Sequence, residues 1–264
     1  ADNSFTAINR FDEIWLLGNE EYDVTAYYPH VGEEGTVPPV QTVEITSENQ
    51  DTPEERAAFD FLYASTKATK AEPNVHLNFN HAMSRVNLKF VPGTDPEGNP
   101  VTLTDIECYL VGIKRNGTFD TETGVAAVAE DAAVSDLRQM LNADNDYTFT
   151  AYLLPQTIGA EGLLIEATMR STDGRRIYYS LKIPVSDWPE MKAGYSYNYT
   201  LTANDYTTPN DTPIVLEISG TDINPWTEVN KEETPDAKAL GTEAYVNGAE
   251  WGEMENEEIV PEVK

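Results

Sequence analysis

Chemistry in this chain would have to come from three histidines, a single cysteine and 46 carboxylates. His76 and His81 are five residues apart. On a regular strand an odd spacing sends side chains to opposite faces, which is poor geometry for a shared metal ion. His81 is expected to hydrogen-bond locally, and His30 falls in a loop. Cys108 alone excludes an intrachain disulfide and any cysteine-based zinc site. It lies in the apolar run Ile106–Ile113 and should behave as a small buried hydrophobe. No GxSxG elbow, HExxH, P-loop or GxGxxG occurs. Carboxylates are so numerous that pairs must meet somewhere, so their presence does not argue for a glycosidase. Asp144-Asn145-Asp146 lacks the later glycine and bidentate glutamate of a calcium loop, and a helix-to-strand turn is the expected role. Tyr195, Tyr197 and Tyr199 could form a sugar-stacking platform, but their period-two spacing favours one half-buried face of a sheet. The expected catalytic, cofactor and metal residues are therefore none.

The elements around these residues belong to an acidic, globular chain. It has 264 residues, 40% of them hydrophobic, and a formal net charge of −29. Such a surface repels phosphate backbones and anionic lipid, so neither nucleic acid nor a membrane surface is an expected partner. No stretch approaches the run of roughly 18 apolar residues that spans a bilayer. There is also no charged start followed by an apolar signal core, so a mature or trimmed form is expected.

One stretch organises the rest. Val75, Leu77 and Phe79 alternate in one phase, and Val86, Leu88 and Phe90 in the other. Side chains on a strand repeat with period two, so the phase change requires a bulge or sheet-switching bend, expected at His81–Arg85. Before it, Phe11–Leu17 and Tyr22–Tyr28 predict a hairpin. Thr52, Pro53 and Glu55 predict a capped helix start, with Phe59, Leu62 and Tyr63 on its packing face. Ser65–Asn74 is the expected linker. After it, Asn116-Gly117 predicts a turn, Ser135–Leu141 a short helix, and Asp173-Gly174 the turn of a hairpin. A last strand is expected from Ile214 through Ile218 to Trp226.

The fold class these signals predict is all-β, with antiparallel β-sandwich packing and one or two short helices. The expected division is an N-terminal β-domain over 1–74, a C-terminal β-sandwich over 75–226 and an acidic extension over 227–264. Within the extension Ala244-Tyr245-Val246 and Ile259-Val260 are short β-prone islands. They suit either a solubilising tail or a segment that orders by joining a partner's sheet.

Several phrases in fixed order resemble the fimbrillin family of Bacteroidales-type (type V) surface pili. They are YDVTAYYPH (Tyr22–His30), Phe61–Ala64, LNFNHAMSRVNLKF (Leu77–Phe90), LLPQTI (Leu153–Ile158), GYSYNYTL (Gly194–Leu201) and the closing Ile223–Trp226. The resemblance implies two sandwich domains of transthyretin-like topology and a secreted lipoprotein serving as pilus stalk, tip or anchor. It implies other fimbrial subunits as partners, host or bacterial surface ligands, and an outer-membrane, extracellular location. Any membrane attachment would run through an N-terminal lipid preceding Ala1. Family assembly proceeds by donor-strand exchange after a protease removes an N-terminal strand. Arg10, the first basic residue, is the candidate processing site, and the two islands are candidate donor or docking segments. The rival expectations are a surface glycan-binding module, which needs exposed aromatic rings, and a glycan-processing enzyme, which needs facing carboxylates.

Overall fold

Period-two alternation runs through strands such as Val40–Glu44, Ser84–Pro92, Leu163–Arg170 and Arg176–Ile183. The computed structural model describes residues 4–5, 20–29, 40–46, 49–71, 75–187, 190–206, 212–226 and 243–246. Its early strands are β1 (Ser4–Phe5), β2 (Tyr22–Tyr28) and β3 (Val40–Glu44), followed by the helix α1 (Pro53–Ala57) and β4 (Leu62–Ala68). The organising stretch supplies β5 (Val75–Asn78), β6 (Asn80–His81) and β7 (Ser84–Pro92). Next come β8 (Ile106–Lys114), β9 (Asn116–Asp120), β10 (Ala126–Val128), β11 (Val134–Leu141), β12 (Thr148–Leu153) and β13 (Gln156–Thr157). The last are β14 (Leu163–Arg170), β15 (Arg176–Ile183), β16 (Glu190–Met191), β17 (Tyr195–Ala203), β18 (Ile214–Val215), β19 (Glu217–Pro225) and β20 (Glu243–Val246).

Two sheets make the main sandwich. One has the order β11-β8-β14-β15-β18 and the other β12-β7-β17-β19. Their inner faces share one core, with Ile106, Leu110, Ile165 and Tyr179 from the first and Val86, Leu88, Phe90 and Leu201 from the second. Fully burying side chains of this size stabilises by about 1.5–3 kcal/mol each. Most pairs are antiparallel, but β7 and β17 run parallel at the centre of their sheet. A small sheet β10-β9-β3 adds Val43 and Phe119 to the same core. The other small sheets are β2-β4-β6, β1-β20-β5 and β13-β16. Between β5 and β4 sits a separate apolar cluster of Leu62, Ala64, Leu77 and Phe79.

The phase change falls where the alternation predicts it. Val75, Leu77 and Phe79 are buried on one side of the break, and Val86, Leu88 and Phe90 on the other. The intervening His81, Ala82, Met83 and Ser84 are buried consecutively, where two alternations of opposite phase meet. Here the chain leaves β4's sheet and enters that of β12 and β17.

Other expectations need correction. The helix expected at Ser135–Leu141 is strand β11, in register with β8. Leu137, Gln139 and Leu141 are buried while Met140 is 42% exposed, so the period is two rather than 3.6. The edge of β8 offers a ladder that local helix propensity does not outweigh. The capping box at Thr52 forms in full, yet its helix is only five residues long. Leu62 and Tyr63 lie in β4 instead, as does Ser65–Ala68 of the expected linker. Asn116-Gly117 opens β9 rather than a turn. The segment from Ile214 to Trp226 is two strands, because the chain changes sheets at Leu216. Phe11–Leu17 and its hairpin lie outside the described residues. The hairpin at Asp173-Gly174 forms as expected, with Gly174 at φ 87°.

Gly117 pairs with both Val43 and Val128, and a Cβ there would overlap the Ala127 carbonyl oxygen. Backbone cannot swing aside as a flexible side chain can. Gly117→Ala is therefore expected to cost about 1–3 kcal/mol, read as a lower urea midpoint at unchanged m-value.

Candidate functional site

The residues that might have carried chemistry are dispersed or buried. His76 on β5 hydrogen-bonds Asn78 Oδ1 at 2.9 Å near the surface, whereas His81 on β6 is buried. His30 lies outside the described residues. Complete burial of Cys108 pushes its thiol pKa up, which suppresses the reactive thiolate. Tyr197 and Tyr199 are core residues, and Tyr197 Oη donates to Glu190 O at 2.9 Å. Desolvation pushes the Tyr199 phenol up to about 12. Tyr195 is half-buried, so the three tyrosines form a sheet face and not an open platform. Asp144-Asn145-Asp146 makes the strand-to-strand turn from β11 to β12, replacing the expected helix-to-strand one. Asp144 N donates to Asn142 Oδ1, and Asp146 pairs with Lys89. No cluster of metal-ligating side chains occurs among the described residues. The outer face of β8 and β14 carries an open concavity of about 290 Å³. Asp105, Glu107, Arg170, Arg176 and Met140 line it, with no aromatic ring for a sugar to stack on.

Two backbone features stand out instead. The first is the sheet β1-β20-β5, whose middle strand comes from the acidic extension. β20 runs antiparallel to β5, with Glu243 opposite Asn78 and Val246 opposite Val75. It runs parallel to β1, with Tyr245 opposite Ser4. The island Ala244-Tyr245-Val246 is thus inside a strand slot of its own chain. Arg10, Ile259 and Val260 lie outside the described residues. β5 itself faces β4 through the small Leu77–Phe79 cluster, so the slot borders the smaller core. The second feature is β19. Ile218, Thr221 and Ile223 stand opposite the buried Leu201, Tyr199 and Tyr197 of β17 and so share their face. Nevertheless Ile218 and Ile223 are 42% and 41% exposed, and no described strand pairs with the far side of β19.

The junction that delivers the chain toward β20 is tightly built. Trp226 ends β19's segment and stacks on His81, with ring centroids 3.6 Å apart and planes 8° from parallel. His81 Nδ1 lies 2.5 Å from Asp60 Oδ1, and the Arg85 guanidinium sits 4.8 Å from the Trp226 ring centre. Trp226 N donates to Gly194 O, and Gly194 N to Met83 O, so the main chain ties the same three segments together. The phrases around His81, Gly194 and Trp226 were visible in the sequence. Asp60, 21 positions before His81, carried no signal that joined it to them.

A profile of the fimbrillin-like family matches residues 1–226, and so takes in the sandwich, the bend and Trp226. The chain belongs to the fimbrillin-like family. The fold also resembles solved structures. A candidate cell-adhesion protein of Bacteroides ovatus is 25% identical, with a TM-score of 0.64 over 84% of this chain and 73% of that one. A second, from Bacteroides uniformis, is 18% identical with a TM-score of 0.57, over 79% and 74%, and speaks to the fold alone. No curated protein proved similar to the chain. In this fimbrillin-like protein Trp226 is the last residue of the family match and the anchor of the junction.

Trp226 is buried against His81 and Tyr152. Trp226→Ala should cost about 3–5 kcal/mol in equilibrium unfolding, as aromatic truncations in cores do. An exposed β19 end would instead give less than 1 kcal/mol, and that result would remove the junction from the account.

Proposed function

We propose that this fimbrillin-like protein is a structural or adhesive subunit of a bacterial cell-surface fimbria, non-catalytic and assembled with other subunits by donor-strand exchange. The observation that carries the reading is β20. A segment near the C-terminus lies as the middle strand of a sheet whose other members are β1 and β5. Such a strand is held by a few main-chain bonds, each worth about 1 kcal/mol net. The same bonds form equally well with an identical segment of another subunit, so cis and trans occupancy differ little in contact energy. The slot would then be filled in the isolated subunit by its own Ala244–Val246 and in the fibre by a neighbour's. Ile259-Val260 is a second candidate donor segment. Arg10 lies between β1 and β2 in sequence, so cleavage there would free β1 from the rest of the chain.

The family and the Bacteroides adhesion-type relative support a cell-surface location. An outer-membrane lipid anchor before Ala1 and division into domains at 1–74, 75–226 and 227–264 belong to the same proposal. The separate small core beside β5 favours such a division, although β3 and Phe61 contribute to the larger sandwich. Among the described residues the rival reading, a glycan-binding module, is left with Tyr178 and Tyr206 as solvent-open rings, since Tyr197 and Tyr199 are buried.

Limited trypsin digestion followed by native mass spectrometry and electron microscopy tests the proposal. Cleavage near Arg10 is expected to yield linear oligomers from the full chain, and none from a chain ending at Trp226. A trimmed full-length protein that stays monomeric, or a truncated one that polymerises equally well, would rule out exchange through the extension.

A further inference from the structure

The four-stranded sheet of the sandwich has two edges, finished in different ways. β19 closes one edge and β12 the other, and neither has a strand neighbour on its outer side among the described residues. The outer main chain of β12 is nevertheless occupied. Thr150 and Tyr152 are two apart, so their N–H and C=O groups point the same way. Gln139 of β11 accepts from Thr150 N at 3.0 Å and donates from Nε2 to Thr150 O at 2.6 Å. Gln50 does the same to Tyr152, accepting at 3.0 Å and donating at 3.4 Å. A primary amide sets an N–H donor and a C=O acceptor side by side, as a strand neighbour would, and has a second N–H to spare.

The two amides are linked into a unit. Gln139 Nε2 also donates to Gln50 O at 2.7 Å, and Arg56 Nη1 donates to that same carbonyl at 2.8 Å. Both glutamines are buried, at 4% and 0% exposure, which is unusual for so polar a side chain. The device recurs where β8 runs past its neighbour β14. There Gln156 accepts from Lys114 N and donates to Lys114 O, both at 2.9 Å.

We infer that Gln50 and Gln139 are edge seals, which hold the main chain of β12 closed against the β12 strand of a second copy. The β12 sequence identifies that occupant. Thr148–Leu153 reads TFTAYL, six residues of high β-propensity with no charge, proline or glycine. Identical segments of this kind pair with themselves. The net charge of −29 repels copies at every edge alike, whereas a glutamine amide closes one edge and leaves the others free. The seal is independent of exchange through β20, since the two act on different sheets.

The test uses the full-length protein with Gln50→Leu and Gln139→Leu, which keep the volume and delete the amides. The folded double variant should self-associate in light scattering, with the Thr150 and Tyr152 amides exchanging about tenfold or more faster in dilute monomer. Those amides should regain protection as concentration rises. Adding Thr148→Lys places a charge on the edge strand and should restore the monomer. A folded double variant that stays monomeric overturns the inference, as does association that Thr148→Lys leaves unchanged. Should the double variant fail to fold, each single substitution is read by the same three measurements.

Discussion

Every strand edge in this protein poses the same requirement: a row of N–H and C=O groups must find partners in the fold, in water or in another chain. A main-chain group buried without a partner costs about 1–3 kcal/mol, comparable with a large side chain's burial. The sandwich has been arranged around that requirement. β12 meets it with glutamine amides, and β5 with a strand from the far end of the chain. β19 has no strand neighbour on its outer side among the described residues, and Ile218 and Ile223 stand half in solvent on it. Hydrophobic burial explains why the two large sheets face each other. It does not explain these differences between edges, which follow from main-chain hydrogen bonding.

That distinction also sets what could be read from the sequence. Elements with one face against the core announce themselves by period-two alternation, as do β7, β14, β15 and β17. The phase break at His81–Ser84 was legible for the same reason, because two incompatible alternations leave no regular alternative. β11 was misread because Leu137, Met140 and Leu141 satisfy a helical spacing as well as Leu137, Gln139 and Leu141 satisfy a strand. Only the neighbouring edge of β8 decides between them. The deciding inward residue is Gln139, a polar side chain that adds nothing to an apolar periodicity. Gln50 and Asp60 carry no local signal either, since their partners lie 102 and 21 positions away. A local pattern carries no record of such pairings.

The junction at Trp226 connects the two halves of the molecule's logic. β19 has little burial of its own along its length, yet both flanking residues, Leu216 and Trp226, are buried. Trp226 stacks on the His81 ring, which lies in the bend between the smaller and larger cores. The edge strand is therefore pinned at its ends rather than along its face. The same pin fixes where the acidic extension departs, close to the bend from which β5 and β6 lead back to the small sheet. A departure point held by a buried aromatic stack gives the extension a defined origin, which the proposed exchange between subunits would use.

Unequal cores make unequal local stability. The main sandwich holds dozens of buried apolar side chains in one continuous cluster, whereas the cluster beside β5 contains Leu62, Ala64, Leu77 and Phe79. Opening free energies within a protein range from near zero up to the global value, and they follow the density of buried contacts. β5 and its neighbour β20 thus lie at the weak end of the molecule. That is where a strand could leave and be replaced while the sandwich stays folded. The opposite arrangement, with the terminal strand threaded through the large core, would require global unfolding for every exchange. If the proposed strand exchange operates, placing the strand beside the smaller core and sealing the edge of the larger one would leave one body stable while one strand is replaced.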